Sequence, residues 1–228
     1  MSATASVPTA PLASGFKGLT RPQMAARLAR DIPEGWYVNL GIGIPTQVAE
    51  HVPLDREVIF HSENGVLGMG PAPAEDKIEP WLINAGKQFV TLRKGGSYVH
   101  HADSFAMIRG GHLDLCVLGG FQVAENGDLA NWATSENDTA PAVGGAMDLA
   151  VGAKRLWVLM DHTTKDGTSK IVTRCSYPLT AVGTTRRVYT NLATLDITER
   201  GFIVIDMAPG LTFDNVQARS DAKLHFPE

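Results

Sequence analysis

Apolar positions along the chain recur with two different periods, and the change from one to the other marks out the elements. After Thr20, the residues Met24, Ala25, Leu28 and Ala29 repeat at three- and four-residue spacing, which predicts a helix with one apolar stripe running to about Arg30. Thr20 and Gln23 stand in capping-box relation at its start, and Pro33 and Gly35 stop it. The aromatic and β-branched run Trp36-Tyr37-Val38-Asn39-Leu40 then predicts a strand. Gly41-Ile42-Gly43-Ile44-Pro45-Thr46 turns it into a short helix through Gln47, Val48 and Ala49. Such a strand, glycine turn, helix unit offers free backbone amides to an anion. Val58-Ile59-Phe60 is apolar without alternation, as a strand buried on both faces must be.

Further on, the pattern predicts strands at Phe89 to Leu92, turned by Gly95 and Gly96, and at Leu113 to Leu118. Between them lies a helix, Ser104 to Ile108, capped by Asp103 and closed by Gly110-Gly111. Asn126-Gly127 signals a hairpin. Residues 133 to 143 are polar and unpatterned and read as a loop, after which Gly144-Gly145 opens another helix. Strands follow at Leu156 to Met160, Ile171-Val172, Val188 to Leu192 and Phe202 to Ile205, with a last helix from about Thr212. Alternating strands and helices with buried strand runs predict an α/β fold, an open mixed or parallel sheet flanked by helices.

The 228 residues, 44% of them hydrophobic, suffice for one core. We expect a flexible polar tail over residues 1–18 and one domain over 19–228. A net charge of -4 without a Lys/Arg cluster argues against nucleic acid or an anionic membrane as partner. Cys116 and Cys175 lack metal-ligand spacing and fit free thiols of a reducing compartment, which predicts a cytoplasmic protein.

Candidate chemistry centres on Glu63, which follows the Val58-Ile59-Phe60 strand and precedes a stretch rich in glycine, Gly65, Gly68 and Gly70, closed by Pro71. A carboxylate is thereby presented on a shaped loop at the end of a parallel strand, where open α/β sheets place their sites. The spacing admits an alternative. Gly41 and Gly43 after a strand, with acidic Glu63 roughly 20 positions on, form part of a nicotinamide or flavin dinucleotide fingerprint. Thr46 stands where its third glycine belongs.

The segment Ser62-Glu63-Asn64-Gly65-Val66-Leu67-Gly68-Met69-Gly70-Pro71 resembles the signature of the B (beta) subunits of class I CoA-transferases, the 3-oxoacid CoA-transferase family. The resemblance extends over residues 21 to 220. It includes Tyr-Val-Asn-Leu-Gly-Ile-Gly-Ile-Pro at 37 to 45, Leu-Ile-Asn-Ala-Gly-Lys at 82 to 87, Ser-Phe-Ala-Met-Ile-Arg-Gly-Gly-His at 104 to 112, Gly-Asp-Leu-Ala-Asn-Trp at 127 to 132 and Gly-Gly-Ala-Met-Asp-Leu at 144 to 149. His100 to Asp103 and Pro141 to Gly145 look most like the branch acting on 3-oxoadipate, with acetoacetate or another 3-oxoacid as the alternative acceptor. The loop at 133 to 143 and the run Lys77-Ile78-Glu79-Pro80-Trp81 depart from ketone-body relatives.

The resemblance implies the CoA-transferase fold and transfer through a covalent glutamyl-CoA thioester, with Glu63 as nucleophile. It implies that the Gly145 amide helps form an oxyanion hole, and that Asn39, Gly41, Gly43, Asn64 and Lys87 contact substrate or CoA. No metal or redox cofactor is implied, the CoA thioester being a substrate. The partners implied are a homologous A subunit in an A2B2 hetero-oligomer, succinyl-CoA and a 3-oxoacid.

Overall fold

The computed structural model describes residues 18–135, 138 and 143–227. The expected tail lies almost wholly outside these residues, as does much of the loop expected at 133 to 143. In chain order the elements are α1 (Arg21–Asp31), β1 (Tyr37–Leu40), a 3-10 segment (Ile44–His51), β2 (Ile59–Ser62), β3 (Val66–Met69), β4 (Leu92–Tyr98), α2 (His101–Arg109), β5 (Leu115–Leu118), β6 (Gln122–Ala124), β7 (Leu129–Ala130), α3 (Ala146–Gly152), β8 (Leu156–Leu159), β9 (Ile171–Val172), β10 (Thr185–Tyr189), β11 (Ala193–Thr198), β12 (Gly201–Met207), α4 (Phe213–Gln217) and β13 (Leu224–His225).

Ten strands form one sheet in the order β13-β12-β11-β10-β8-β5-β1-β2-β3-β4, and β7-β6-β9 form a second. The five strands β10, β8, β5, β1 and β2 run parallel, while antiparallel pairs join β2 to β3, β3 to β4, β10 to β11 and β11 to β12. The expected mixed, helix-flanked sheet is therefore present. Alternate residues of its centre feed two cores. Leu115, Val117, Trp157 and Leu159 pack with Met24, Ala25 and Leu28 of α1, whereas Cys116, Leu118, Leu156 and Val158 pack with Ile108 of α2 and Leu149 of α3. Burial on both faces is why these strands read as unbroken apolar runs. At the start of α1 the Gln23 Oε1 accepts from the Thr20 amide at 2.8 Å, as the capping pattern predicts.

Several expectations require correction. The glycine-rich stretch after Glu63 is the strand β3, entered through a tight turn in which the Gly65 amide donates to the Ser62 carbonyl at 2.9 Å. The glycines here answer to steric demand from β4 and the residue that follows it. Gly65 has φ 112°, and a Cβ there would collide with the Val99 carbonyl; Gly68 has φ 80°, and its Cβ would lie 2.8 Å from the Gly96 Cα. Gly95 and Gly96 lie within β4, which begins where the predicted strand ends, because β3 draws the later residues into a ladder. The cap of α2 is His100, whose Nδ1 accepts from the Ala102 amide, and Asp103 falls in the first turn. Residues 190 to 192 form a turn after β10, and β11 and β13 carry no clear signal in the sequence.

His162, after β8, has no exposure and bonds at Nδ1 to Thr190 Oγ1 and at Nε2 to Ser220 Oγ, both at 2.9 Å, tying the sheet to the residues after α4. Burial, aided by the charge of Arg219, pushes its imidazole down to about 3. Above the unfolded pKa of about 6.5 the ring is neutral in both states. As pH falls towards 3 only the unfolded chain takes up the proton, so stability is lost over that window. Urea unfolding at pH 7 and pH 4.5 should show the wild-type protein losing on the order of 2 kcal/mol more than His162→Gln. Equal losses would exclude this group as a source of acid sensitivity.

Candidate active site

The C-terminal ends of β1, β2, β5 and β8 open onto a cleft of about 1090 Å³. Asn39, Gly41, Gly43, Glu63 and Gly145 all line it, so five positions scattered over more than a hundred residues converge. Glu63 is half-buried in the turn between β2 and β3. Parallel pairing with β1 ends at Asn39 opposite His61, two residues before the carboxylate. The hairpin then forces the chain to reverse, so the side chain at the turn projects past the edge of the sheet.

Beneath it lies a buried polar chain. The Asn39 Nδ2 donates to the His61 carbonyl at 3.2 Å and faces His61 Nδ1 at 3.0 Å, while His61 Nε2 meets Ser104 Oγ at 2.8 Å. A carbonyl only accepts, which fixes the orientation of the amide. His61 Nδ1 must then present its lone pair, and the ring proton resides on Nε2. Burial pushes this imidazole down to about 4, so the neutral tautomer persists at physiological pH. Asn39 is held as a rigid, uncharged group at the floor of the cleft. On its other side the Cys116 thiol approaches Asn39 Oδ1, and burial together with the charge of Glu63 pushes that thiol well up.

Gly145, immediately before α3, lies against the carboxylate. A Cβ there would come within 2.8 Å of Glu63 Oε2 and 3.0 Å of Phe105 Cζ. Its φ of -85° is open to any residue, so glycine is required here by space rather than by backbone strain. Phe105 is positioned by α2, where it contacts the His101 ring at 4.9 Å. A bidentate pair, Arg109 Nε to Asp148 Oδ1 at 2.7 Å and Nη2 to Oδ2 at 3.0 Å, clamps α2 to α3. Burial raises the Glu63 carboxyl above its ordinary value; His101 opposes this and Asp148 adds to it. A partly desolvated carboxylate, set against a backbone with no intervening side chain, is arranged to attack an acyl carbon.

Two expected residues stand apart from the cleft lining. The Asn64 Nδ2 donates to the Ile83 carbonyl at 2.7 Å and so ties the Glu63 turn to the next segment. Lys87 is exposed at φ 62° in a turn whose neighbours Asn84, Ala85, Gly86 and Gln88 do line the cleft. His61, Ser104 and Phe105 escaped the sequence reading because isolated polar or aromatic residues in apolar patterns carry no periodic signal. The dinucleotide alternative fits poorly. Gly43 leads into a 3-10 segment where that fold needs an α-helix, and β2 turns back on itself after Glu63. Among the described residues no group of three His, Cys, Asp or Glu side chains converges as a metal site.

A family model described as Coenzyme A transferase matches residues 21–219. The chain is 55% identical over 209 residues to the B subunit of 3-oxoadipate CoA-transferase from Acinetobacter baylyi, covering 92% of this chain and 96% of that one. It is 44% identical over 203 residues to the B subunit of succinyl-CoA:3-ketoacid coenzyme A transferase from Helicobacter pylori, covering 89% and 97%. Among solved structures it is similar to an acyl-CoA transferase from Escherichia coli O157:H7, with TM-score 0.71 and 19% identity over 95% of this chain, though it spans only 43% of that one.

Two variants test the geometry. Gly145→Ala should keep a near-native melting temperature, because the free end of the Glu63 side chain must yield most and the Phe105 ring edge by only a few tenths of an ångström, yet lose about 100-fold in kcat through displacement of the carboxylate. Glu63→Gln should abolish turnover and raise the melting temperature at pH 7.5. The raised carboxyl disfavours the folded, ionised protein above the ordinary carboxylate range, so the gain should vanish as pH falls through that range and both states protonate. A melting temperature independent of this substitution at pH 7.5 would contradict the desolvation.

Proposed function

The chain belongs to the coenzyme A transferase family, and from that premise we propose that it is the B subunit of an enzyme moving CoA from succinyl-CoA to 3-oxoadipate through a glutamyl thioester on Glu63. The observation that carries this reading is the seating of the Glu63 carboxylate against Gly145 in the cleft. The preference for 3-oxoadipate over a ketone-body acid is supported by the higher identity to the Acinetobacter baylyi protein. Both relatives are named as B subunits, which supports assembly with a homologous A subunit; we propose an A2B2 complex.

In the first half-reaction Glu63 attacks the thioester carbonyl of succinyl-CoA, the C–S bond breaks, and CoA leaves as thiolate, giving a succinyl-glutamyl anhydride. The thiolate then attacks the glutamyl carbonyl, succinate departs with the bridging oxygen, and Glu63 carries CoA. A carboxylate of 3-oxoadipate attacks that thioester and expels the thiolate, which attacks the oxoadipyl carbonyl and frees Glu63. The attack moves no proton, because Glu63 acts in its carboxylate form, the ordinary form of the group at neutral pH. Each attack builds charge on an oxygen, and a backbone donor such as the Gly145 amide is worth about 3 kcal/mol there. The pantetheine and nucleotide arms supply binding remote from the reacting carbon, which can hold the acyl group in place.

Incubating the assembled complex with succinyl-CoA and digesting it should yield a peptide containing Glu63 with CoA attached through the side chain. Borohydride treatment should reduce the thioester only in samples that received the acyl donor. A complex that turns over without this adduct, or an active Glu63→Gln variant, would overturn the mechanism.

A further inference from the structure

A second pocket of about 440 Å³ opens off the cleft at three shared residues, Phe121, Asp161 and Lys170. Resting on the transferase reading above, we propose that Lys170 receives the distal carboxylate of a dicarboxylic acyl group in this side pocket, and so selects diacids from their monocarboxylic analogues.

The backbone of Lys170 is fixed on both sides. Its amide donates to the His162 carbonyl at 3.0 Å, and its carbonyl accepts from the Val123 amide of β6 at 2.9 Å. The side chain is half-buried and lines both cavities. Among the described residues its ammonium has neither an ion-pair partner nor a side-chain hydrogen bond. The nearby Asp161 is already engaged by Arg21 at 3.7 Å. A half-buried ammonium whose acidic neighbour, Asp161, is shared with Arg21 is incompletely compensated until an incoming anion completes it. Burial lowers the Lys170 amine while the charge of Asp161 opposes the shift.

Geometry favours a carboxylate over a phosphate of CoA. The Arg21 and Asp161 charges offset one another, and Lys165, the other cation of the side pocket, is exposed and screened by water, so among the described residues Lys170 is the one sheltered ammonium where the pockets meet, a match for a monoanion. Beside it stand Thr163 and Thr164, the latter's hydroxyl already donating to Asp166, in a short hairpin in which Thr163 pairs with Ser169, and ring walls at Phe121 and Tyr177. Glu63 follows β2 and Asp161 follows β8, three strand positions apart in the sheet, or about 14 Å at about 4.8 Å each. A six-carbon diacid, with five C–C bonds of about 1.5 Å, spans about 6 Å in extended form. The Glu63 and Lys170 side chains bridge the remainder.

Transfer by double displacement separates the halves of the reaction, so kcat/KM for an acceptor reads only its own capture by the CoA-loaded enzyme. The assembled complex is assayed with 3-oxoadipate against 3-oxohexanoate as acceptors, and with succinyl-CoA against butyryl-CoA as donors. Lys170→Met should reduce the preference for the diacid in each pair by about 100-fold, and Lys170→Arg should restore most of it. Equal losses for both members of a pair would overturn the proposal, placing Lys170 at the shared CoA portion or in the scaffold. Unchanged ratios for all four compounds would overturn it as well. The wild-type Glu63 adduct is measured in parallel with succinyl-CoA: its absence overturns the underlying transferase reading, whereas its presence with unchanged ratios removes only the role of Lys170.

Discussion

The site depends on one constraint, the desolvation of a carboxylate at a tight turn. Glu63 lies where β2 reverses into β3, and it is held partly out of water by α2 and α3 across Gly145. Water stabilises carboxylates and blunts their attack, so a protein that uses one as a nucleophile must withdraw some of that solvation. The withdrawal opposes folding, and the surrounding structure supplies the compensation. The two apolar cores on either face of the sheet fix β1, β2 and β5, and the Arg109–Asp148 clamp fixes the helices that press on the turn.

The Ser104, His61 and Asn39 chain extends the same logic below the surface. Three polar side chains are buried, and each finds a partner in the next, so none is left unsatisfied. The neutral histidine matters because a charged ring would direct an N–H at the Asn39 amide group and disturb the floor of the cleft. The buried imidazole thus acts as a spacer with a defined proton position.

Much of the fold was legible because burial leaves a periodic trace. Leu113 to Leu118 and Leu156 to Met160 contain strands of the central sheet, Val58-Ile59-Phe60 overlaps the start of another, and Asn126-Gly127 is the hairpin it promised, with Gly127 at φ 88°. What could not be read depends on contacts between distant segments. Gly65 and Gly68 look like loop glycines until β4 lies across them, and β11 and β13 exist through pairing with β12. The site followed the same division. Glu63 and its glycines stood out through a long motif, whereas Lys170 and Asp161, each ordinary in its own segment, gave nothing until the connection between β8 of the large sheet and β9 of the small one was placed beside the cleft.

The strand order has a consequence for how such a protein diversifies. The carboxylate proposed to make the bond stands beyond β2, and the half-buried lysine follows β8 at the far side of β1 and β5. Substitutions in the 161–170 hairpin can therefore remodel the outer wall without touching the hydrogen-bonded floor at Asn39. Two interior strands act as a mechanical bulkhead between the fixed workshop and the exchangeable fitting, leaving new acids accessible to drift while the covalent chemistry stays where it was.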